Sequence, residues 1–164
     1  MLFRSAKFFA LGIALFAFGF SVQPSAPNTI EAEQIISATN LARASSGLPP
    51  LTQNQKLSAA SAEKLSDMAG MGYFSHNSPA GTGPWHWIVK NDYAYASAGE
   101  NLAINFDDAQ KLVRAWLTSP AHKKNLLNPH YSDVGVSVQK VHIRGKTYTL
   151  VVQMLAAPKT LSVN

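Results

Sequence analysis

The side chains that could carry chemistry in this sequence are five histidines, nine acidic residues and several serines, because the chain contains no cysteine. The lack of cysteine excludes disulfides, thiolate metal ligands and a cysteine nucleophile. Local metal-binding patterns are also missing: no His-Glu-x-x-His motif occurs, and the aspartates do not form a calcium loop. A histidine site must therefore be assembled from residues that are distant in the sequence.

Two serines have a histidine close by in the sequence. Ser75 adjoins His76, and Ser119 lies shortly before His122, so each serine could be a nucleophile activated by an imidazole. No Gly-x-Ser-x-Gly elbow occurs, and Ser119 before Pro120 is more simply explained as a helix cap. The pattern therefore favours structural serines over a serine hydrolase.

The formal charge of +5 does not indicate a nucleic-acid partner. The basic residues are scattered, and their longest run is Lys123-Lys124. A nucleic-acid groove needs clustered basic side chains interleaved with aromatic platforms. We therefore expect a solvated basic surface and no nucleic-acid binding.

The beginning of the chain has the pattern of an export signal. Arg4 and Lys7 precede an uncharged apolar run over residues 8–20. That run is shorter than the about 20 residues of a membrane-spanning helix and is typical of a signal peptide. We assign residues 1–22 to a signal peptide and 23–29 to a linker, and we expect a secreted or periplasmic protein. The alternative is an uncleaved leader, which would then be the chain's membrane contact.

Apolar residues at helical spacing predict the helices that must position these groups. The first contains Ile35, Ile36 and Thr39 and should stop at Gly47. The second covers about residues 55–72. Its apolar side is predicted to consist of Leu57, Ala60, Leu65, Met68 and Met71.

The middle of the chain predicts further short helices around an irregular stretch. Trp85 and Trp87 suggest a short third helix, and residues 93–105 look irregular or weakly extended. A fourth helix should begin with Asp107 as its cap, with Gln110 in capping-box spacing. A fifth should begin at Ser119-Pro120.

Toward the end of the chain, the spacing of apolar residues changes from the helical period to the two-residue period of strands. Val134, Val136 and Val138 alternate with small or polar residues, which predicts a strand with one buried face. Residues 147–155 are apolar on both faces, and such a strand is normally covered on both sides. The pattern predicts a sheet between two helical layers, an α-β-α sandwich.

Four segments, taken together, resemble the bacterial form of the CAP superfamily (cysteine-rich secretory, antigen 5 and pathogenesis-related 1 proteins). They are Asn-Leu-Ala-Arg at 40–43 followed by Gly-Leu-Pro-Pro-Leu at 47–51, Tyr-Phe-Ser-His-Asn-Ser-Pro at 73–79, Ala-Gly-Glu-Asn-Leu-Ala at 98–103, and residues 116–127 leading to Val-Gly-Val at 134–136. The resemblance implies an α+β fold, a three-layer α-β-α sandwich with a mixed, mainly antiparallel sheet. It implies a CAP domain over residues 30–158 and a tail over 159–164.

The resemblance also implies a cleft lined by histidine and glutamate. His76 and Glu100 match two of the family's cleft positions, whereas the other two fall near Ser119 and Leu150 and lack the expected Glu and His. His122, in the bacterial Ser-Pro-Ala-His turn, is the replacement that we expect. Asn101 is expected to tie backbone groups near the same cleft, and so is Asn40.

Two interpretations of the cleft remain open. His76, Glu100 and His122 form a valid open zinc set that leaves a position for water. The same three side chains could instead form a hydrogen-bonded network without metal. Both interpretations place the three side chains together.

The function that the resemblance favours is a non-catalytic, exported module for ligand binding or for cell-envelope or host interaction. Its expected ligand is a lipid or sterol-like small molecule or a cell-wall component. The alternative is a peptidase-like hydrolase outside the cytoplasm that uses His76 and Glu100 with or without a metal. A surface antigen without a small ligand is a third interpretation.

Export gives the first testable prediction. We expect the mature protein to lack roughly the first 20 to 25 residues, the usual length of a leader. N-terminal sequencing of protein from the producing cells measures this directly. A sequence that begins at Met1, from protein found in the cytoplasm, would contradict the assignment.

Overall fold

The computed structural model describes residues 30–143 and 145–160. The predicted signal peptide and linker, residues 1–29, lie outside the described residues, as does the end of the predicted tail, 161–164. Within the described part, no helix is long and apolar enough to cross a membrane.

The described chain forms a four-stranded sheet with helices on both faces. The helices are α1 (Ala32–Ser45), α2 (Gln55–Met71), α3 (Trp85–Lys90), α4 (Ala109–Thr118) and α5 (Pro120–Leu126). The strands are β1 (Thr52–Gln53), β2 (Tyr95–Ile104), β3 (Asp133–Ile143) and β4 (Lys146–Pro158). The sheet order is β1-β3-β4-β2. Strand β1 pairs in parallel with β3, and the other pairs are antiparallel.

Strand β4 is central in the sheet and is buried on both faces. Alternate residues point to opposite sides of a strand. Val151 and Leu155 pack into a core that includes residues of α1 and α4, whereas Val152 and Met154 pack into a second core that includes residues of α2 and α3. The two cores confirm the predicted three-layer α-β-α sandwich and its mixed, mainly antiparallel sheet.

The helix ends agree with the predicted signals, with two exceptions. Gly47, just after α1, has a φ of 72°, and Gly72 ends α2 with a φ of 67°, both in the left-handed region that favours glycine. The cap of α4 is Asp108 and not Asp107: Asp108 is extended, and its side chain accepts a hydrogen bond from the Lys111 amide. Ser119 does occupy the cap position of α5, but its side chain makes no capping hydrogen bond.

Strand β2 occupies most of residues 93–105, for which the sequence predicted an irregular or weakly extended stretch and not a defined strand. This ten-residue strand pairs with β4 from Tyr95 to Ile104, with a register shift between Tyr95 and Ser97. The strand was missed because its middle, Ala-Gly-Glu-Asn, mixes small and polar residues and shows no alternation. The short strand β1 was also missed.

The buried side of α2 also differs from the predicted one. Met71 is 52% exposed, whereas Ser61 and Lys64 are fully buried. Lys64 lies seven residues after Leu57, so it occupies a position on the face that packs against the sheet. A lysine at that position is costly unless its charge is compensated.

Helix α2 lies so close to β3 that glycine is required at the contact. A Cβ built on Gly135 would lie 2.1 Å from the carbonyl carbon of Leu57 and 2.2 Å from the amide nitrogen of Ser58. Both atoms are backbone and cannot rotate away. The close approach also allows the Ser61 hydroxyl to donate to the Gly135 carbonyl at 3.1 Å.

This contact yields a stability prediction. Gly135→Ala should lower the free energy of unfolding by about 3 kcal/mol or more, because overpacking a rigid contact displaces backbone. Gly70→Ala is the matched control: it lies within α2, nothing is within 4 Å of its added Cβ, and it should be neutral or stabilising by up to about 1 kcal/mol. Urea unfolding of the two variants measures the difference. Equal stabilities of the Gly135→Ala and Gly70→Ala variants would show that α2 does not pack directly against Gly135.

Candidate functional site

Glu100 places a buried carboxylate in the middle of β2. It pairs with Met154 of β4 and therefore faces the layer of α2. Its side chain is only 1% exposed. Its Oε1 accepts a hydrogen bond from Nδ1 of His76 at 2.6 Å. Since an ionised carboxylate can only accept, Nδ1 carries the shared proton and Nε2 is left free.

His76 reaches Glu100 from the loop that follows α2. The loop is held by a turn in which the Ser78 amide donates to the Thr82 carbonyl and the Thr82 amide donates to the Ser78 hydroxyl. The imidazole remains 56% exposed although its carboxylate partner is buried. The pair is thus a solvent-accessible imidazole anchored to an internal acid.

The pKa values of His76 and His122 move in opposite directions from the ordinary histidine value. The hydrogen bond to Glu100 raises the pKa of His76, against smaller opposing effects of burial and of the Lys64 charge. Burial lowers the pKa of His122, and the positive charge of His76 lowers it further. That His122 of α5 converges with His76 and Glu100 stays a prediction. No hydrogen bond joins His122 to His76 or Glu100 among the described residues.

Asn101 joins the layers behind the cleft. Its side-chain amide donates to Oε1 of Gln153 at 3.0 Å and to the His122 carbonyl at 3.5 Å. Its Oδ1 accepts from Asn125 of α5 at 3.0 Å, and Gln153 in turn donates to Thr39 of α1. The predicted role of Asn101 as a backbone tie fits this network. Asn40 also ties backbone, but to Leu51.

The comparison with known families agrees with this geometry. The family model of CAP, the Cysteine-rich secretory protein family, matches residues 36–154. The chain belongs to the CAP family. It is 35% identical over 114 residues to the Uncharacterized protein YkwD of Bacillus subtilis, an alignment that covers 68% of this chain and 44% of YkwD. The chain thus spans less than half the length of that curated relative.

Solved structures show the same CAP fold. An outer surface protein from Borrelia burgdorferi superposes with a TM-score of 0.69 at 24% identity, over 77% of this chain and 92% of that chain. An extracellular protein containing a SCP domain from Bacillus anthracis gives a TM-score of 0.67 at 28% identity, over 77% of this chain and 40% of that chain. The first of these similarities bears on the fold alone.

The serines of this CAP domain are not paired with the cleft histidines. Over residues 30–143 and 145–160, no hydrogen bond links a serine hydroxyl to His76 or His122. Ser119 is half-buried at the start of α5, and Ser75 is exposed in the loop. The structure therefore offers no prepared serine nucleophile in the described part.

The open zinc set of His76, Glu100 and His122 that the sequence suggested stays a prediction. In the part of the chain that the structure describes, no three His, Cys, Asp or Glu side chains are grouped so that they could hold a metal ion. The Nδ1 of His76 and the Oε1 of Glu100 bind each other. Zinc binding stays a prediction that metal analysis tests.

A separate groove lies away from the cleft. It has a volume of about 530 Å³ and runs between α1 and the beginning of α4. Its lining includes Glu33, Leu41, Asp107 and Asp108 but no histidine. The groove therefore does not include the His76–Glu100 pair.

Sequence reasoning missed three polar residues beside the cleft. Lys64 donates to the Tyr73 hydroxyl at 2.9 Å, and Tyr73 donates to Asp67. The signal was present in the sequence, because Lys64 stands at helical spacing from the apolar residues Leu57 and Met68. A charged residue at a core position is rare unless it has a partner.

The raised pKa of His76 predicts a pH-dependent stability. A histidine whose pKa is raised on folding stabilises the fold below its ordinary pKa, and this contribution is lost as the pH rises through the raised value. His76→Gln should therefore destabilise the domain more at about pH 5.5 than at about pH 8.5, on either side of the ordinary histidine pKa. Urea unfolding at both pH values is the measurement, with the exposed His130→Gln as control. An equal loss at both pH values would be inconsistent with the His76–Glu100 contact.

Proposed function

We propose that this CAP domain is an exported, non-catalytic binding module of the cell envelope, whose ligand docks in the cleft of His76, Glu100 and His122. The observation that carries the proposal is the 2.6 Å hydrogen bond from His76 to the buried Glu100 carboxylate. This bond fixes the orientation and the protonated nitrogen of an imidazole that remains 56% exposed. A fixed, accessible polar group is what a binding site requires.

The chemistry of the cleft favours a polar ligand. The exposed His76 imidazole would be poorly matched to an apolar sterol or acyl chain, because burying a polar group without a partner is unfavourable. A cell-wall component rich in hydroxyl and amide groups would pair with it. Of the expected ligands, we therefore favour a cell-wall component over a lipid or sterol.

Location outside the cytoplasm is the second part of the proposal. It is supported by the leader pattern of residues 1–22. The similarity to an extracellular protein containing a SCP domain from Bacillus anthracis is in keeping with it. Because the chain covers only part of some relatives, their other segments contribute nothing to this proposal.

A binding assay with isolated cell-wall sacculi tests the proposal. His76→Ala should weaken sedimentation with sacculi by about tenfold or more, because a hydrogen bond to a charged or ligand group contributes about 1.5 kcal/mol or more. His142→Ala, which removes an exposed histidine of β3, should bind like the parent. Equal binding by both variants, or binding only to phosphatidylcholine–sterol vesicles, would refute the proposed ligand class.

The hydrolase alternative makes different demands on the same protein. A hydrolase would release soluble fragments from the cell wall, and both His76→Ala and Glu100→Gln would abolish that release. A metal-dependent hydrolase would also bind one equivalent of zinc, which His76→Ala and His122→Ala would lose. Either result would replace the binding function with a catalytic one. Binding without turnover and without stoichiometric metal is the outcome that we expect.

A further inference from the structure

Two aromatic side chains remain accessible where α3 and the beginning of β2 meet. Trp85, the first residue of α3, is 40% exposed, and Tyr95, the first residue of β2, is half-buried. Their ring centres lie 6.4 Å apart, with the ring planes inclined by 47°. Val89, one turn after Trp85 on α3, is 63% exposed. Single exposed apolar residues are ordinary, but a group of them on adjoining elements marks a binding surface.

A shallow depression lies beside this aromatic pair. Its volume is about 410 Å³, within the range of roughly 300–1,000 Å³ that is typical of small-molecule sites. Asp92 and Lys159 bring an acidic and a basic side chain to it, and no ion pair joins the two among the described residues. Both side chains are therefore available to a ligand. The depression is lined by Val89, Asp92, Tyr93, Ala94, Tyr95 and Lys159.

The backbone of Asp92 is held in the left-handed region. Its φ is 55°, a conformation that glycine adopts without strain and that costs other residues free energy. Its amide donates to the Val89 carbonyl at 3.0 Å, and its carbonyl accepts a hydrogen bond from Nζ of Lys56 at 2.8 Å. These contacts fix the backbone and leave the carboxylate exposed at the depression. Residues held in this way are concentrated at functional sites.

An irregularity in the sheet places Tyr95 and Lys159 side by side. The ladder of β2 and β4 shifts register between Tyr95 and Ser97, which leaves Ala96 without a partner. Such bulges reorient side chains next to binding sites. Just beyond the bulge, the Lys159 amide donates to the Ala94 carbonyl at 2.9 Å. The aromatic ring and the ammonium group therefore belong to neighbouring strand ends.

The chemistry of the depression matches a sugar that carries an amide. The face of an aromatic ring offers apolar surface to the C–H groups on one face of a pyranose. The Asp92 carboxylate can accept from an amide N–H or a hydroxyl, and the Lys159 ammonium can donate to a carbonyl or hydroxyl oxygen. The exposed Val89 offers contact to a methyl group. An acyl chain would desolvate both charges without compensation, and a phosphate would be repelled by Asp92.

We propose that the depression at Asp92 and Tyr95 is a second binding site of the domain, which binds the N-acetylated amino sugars of a glycan. The sugar ring packs on Tyr95 beside Trp85. Asp92 accepts from the acetamido N–H, and Lys159 donates to an oxygen of the same sugar. The lining of the depression contains no histidine, so this site does not depend on the proposed function of the cleft, and either proposal can fail alone.

Titration of the full chain with tri-N-acetylchitotriose, followed by ¹H–¹⁵N NMR, is the primary experiment. The amides of Asp92 and Tyr95 should shift in a saturable way. Asp92→Gly should raise the Kd about tenfold, because a hydrogen bond to a charged group is lost. Its melting temperature should stay close to that of the parent, since glycine adopts the left-handed backbone without strain. An absence of saturable shifts, or an unchanged Kd in Asp92→Gly, would overturn the proposal.

The aromatic part of the site is tested by Trp85→Ala, which should raise the Kd several-fold because stacking surface is removed. Phe74→Ala is the matched control: Phe74 is 42% exposed and does not line the depression, so this variant should bind like the parent. Lys159→Met gives a second test if Trp85→Ala does not fold, and it should also raise the Kd several-fold. Variants of Trp85 and Lys159 that bind as tightly as Phe74→Ala would contradict the site.

Comparison ligands test the class of sugar and its source. Cellotriose has similar ring faces but no acetamido group, and it should bind several-fold more weakly than tri-N-acetylchitotriose. Insoluble chitin and isolated cell-wall sacculi both present N-acetylated amino sugars, and the one whose sedimentation with the protein is reduced by Asp92→Gly is the source. Equal binding of the two trisaccharides, or shifts of the same amides by a cell-wall peptide and not by the sugar, would show that the site has another ligand.

Discussion

The constraint on which the position of the His76–Glu100 pair depends is that β2 is an edge strand whose outward carbonyls must find donors. Buried backbone groups without a hydrogen bond are unfavourable. The Glu100 carbonyl accepts from Asn125 of α5 at 2.9 Å, and the Leu102 carbonyl accepts from the indole of Trp116 of α4 at 3.1 Å. Helices α4 and α5 therefore lie along this edge and close it to further pairing. The same two contacts bring the short helix that carries His122 toward the strand that carries Glu100.

A seven-residue helix such as α5 would not persist alone, so its position is imposed by the rest of the domain. At its end, the buried Arg43 of α1 donates to the carbonyls of Leu126, Asn128 and Tyr131 at 2.9 to 3.1 Å. On its inner side, Asn125 approaches so closely that a Cβ on Gly99 would lie 2.7 Å from its Oδ1. The Arg43 guanidinium thus fixes the end of α5, and Gly99, which has no side chain, allows the inner side of α5 to approach β2.

The sequence predicted the parts of this structure that follow periodic burial. Helix α1 and strand β4 are recognisable because their apolar residues repeat at 3.6 and at 2 residues. Strand β2 was predicted only as an irregular or weakly extended stretch, because its central residues do not alternate as those of a core strand do. Gly99 allows a close approach, and Glu100 binds the His76 imidazole. The candidate pair of His76 and Glu100 was accessible only through the resemblance to a family. No local spacing links a loop residue to a strand residue 24 positions later.

The buried polar residues in and next to β2 explain why the sequence pattern of this strand is weak. Their hydrogen bonds explain how the strand can still hold one arrangement. Glu100, Asn101 and Gln153 are buried in or next to β2, where apolar residues would stabilise the sheet more simply. Each makes side-chain hydrogen bonds that join different layers, and a well-paired polar network specifies one arrangement more narrowly than apolar packing does. Departures from local rules are expected where function and folding compete. In this domain, they lie in the edge strand, where the buried Glu100 carboxylate binds the exposed His76 imidazole, and at Lys64 on the buried face of α2.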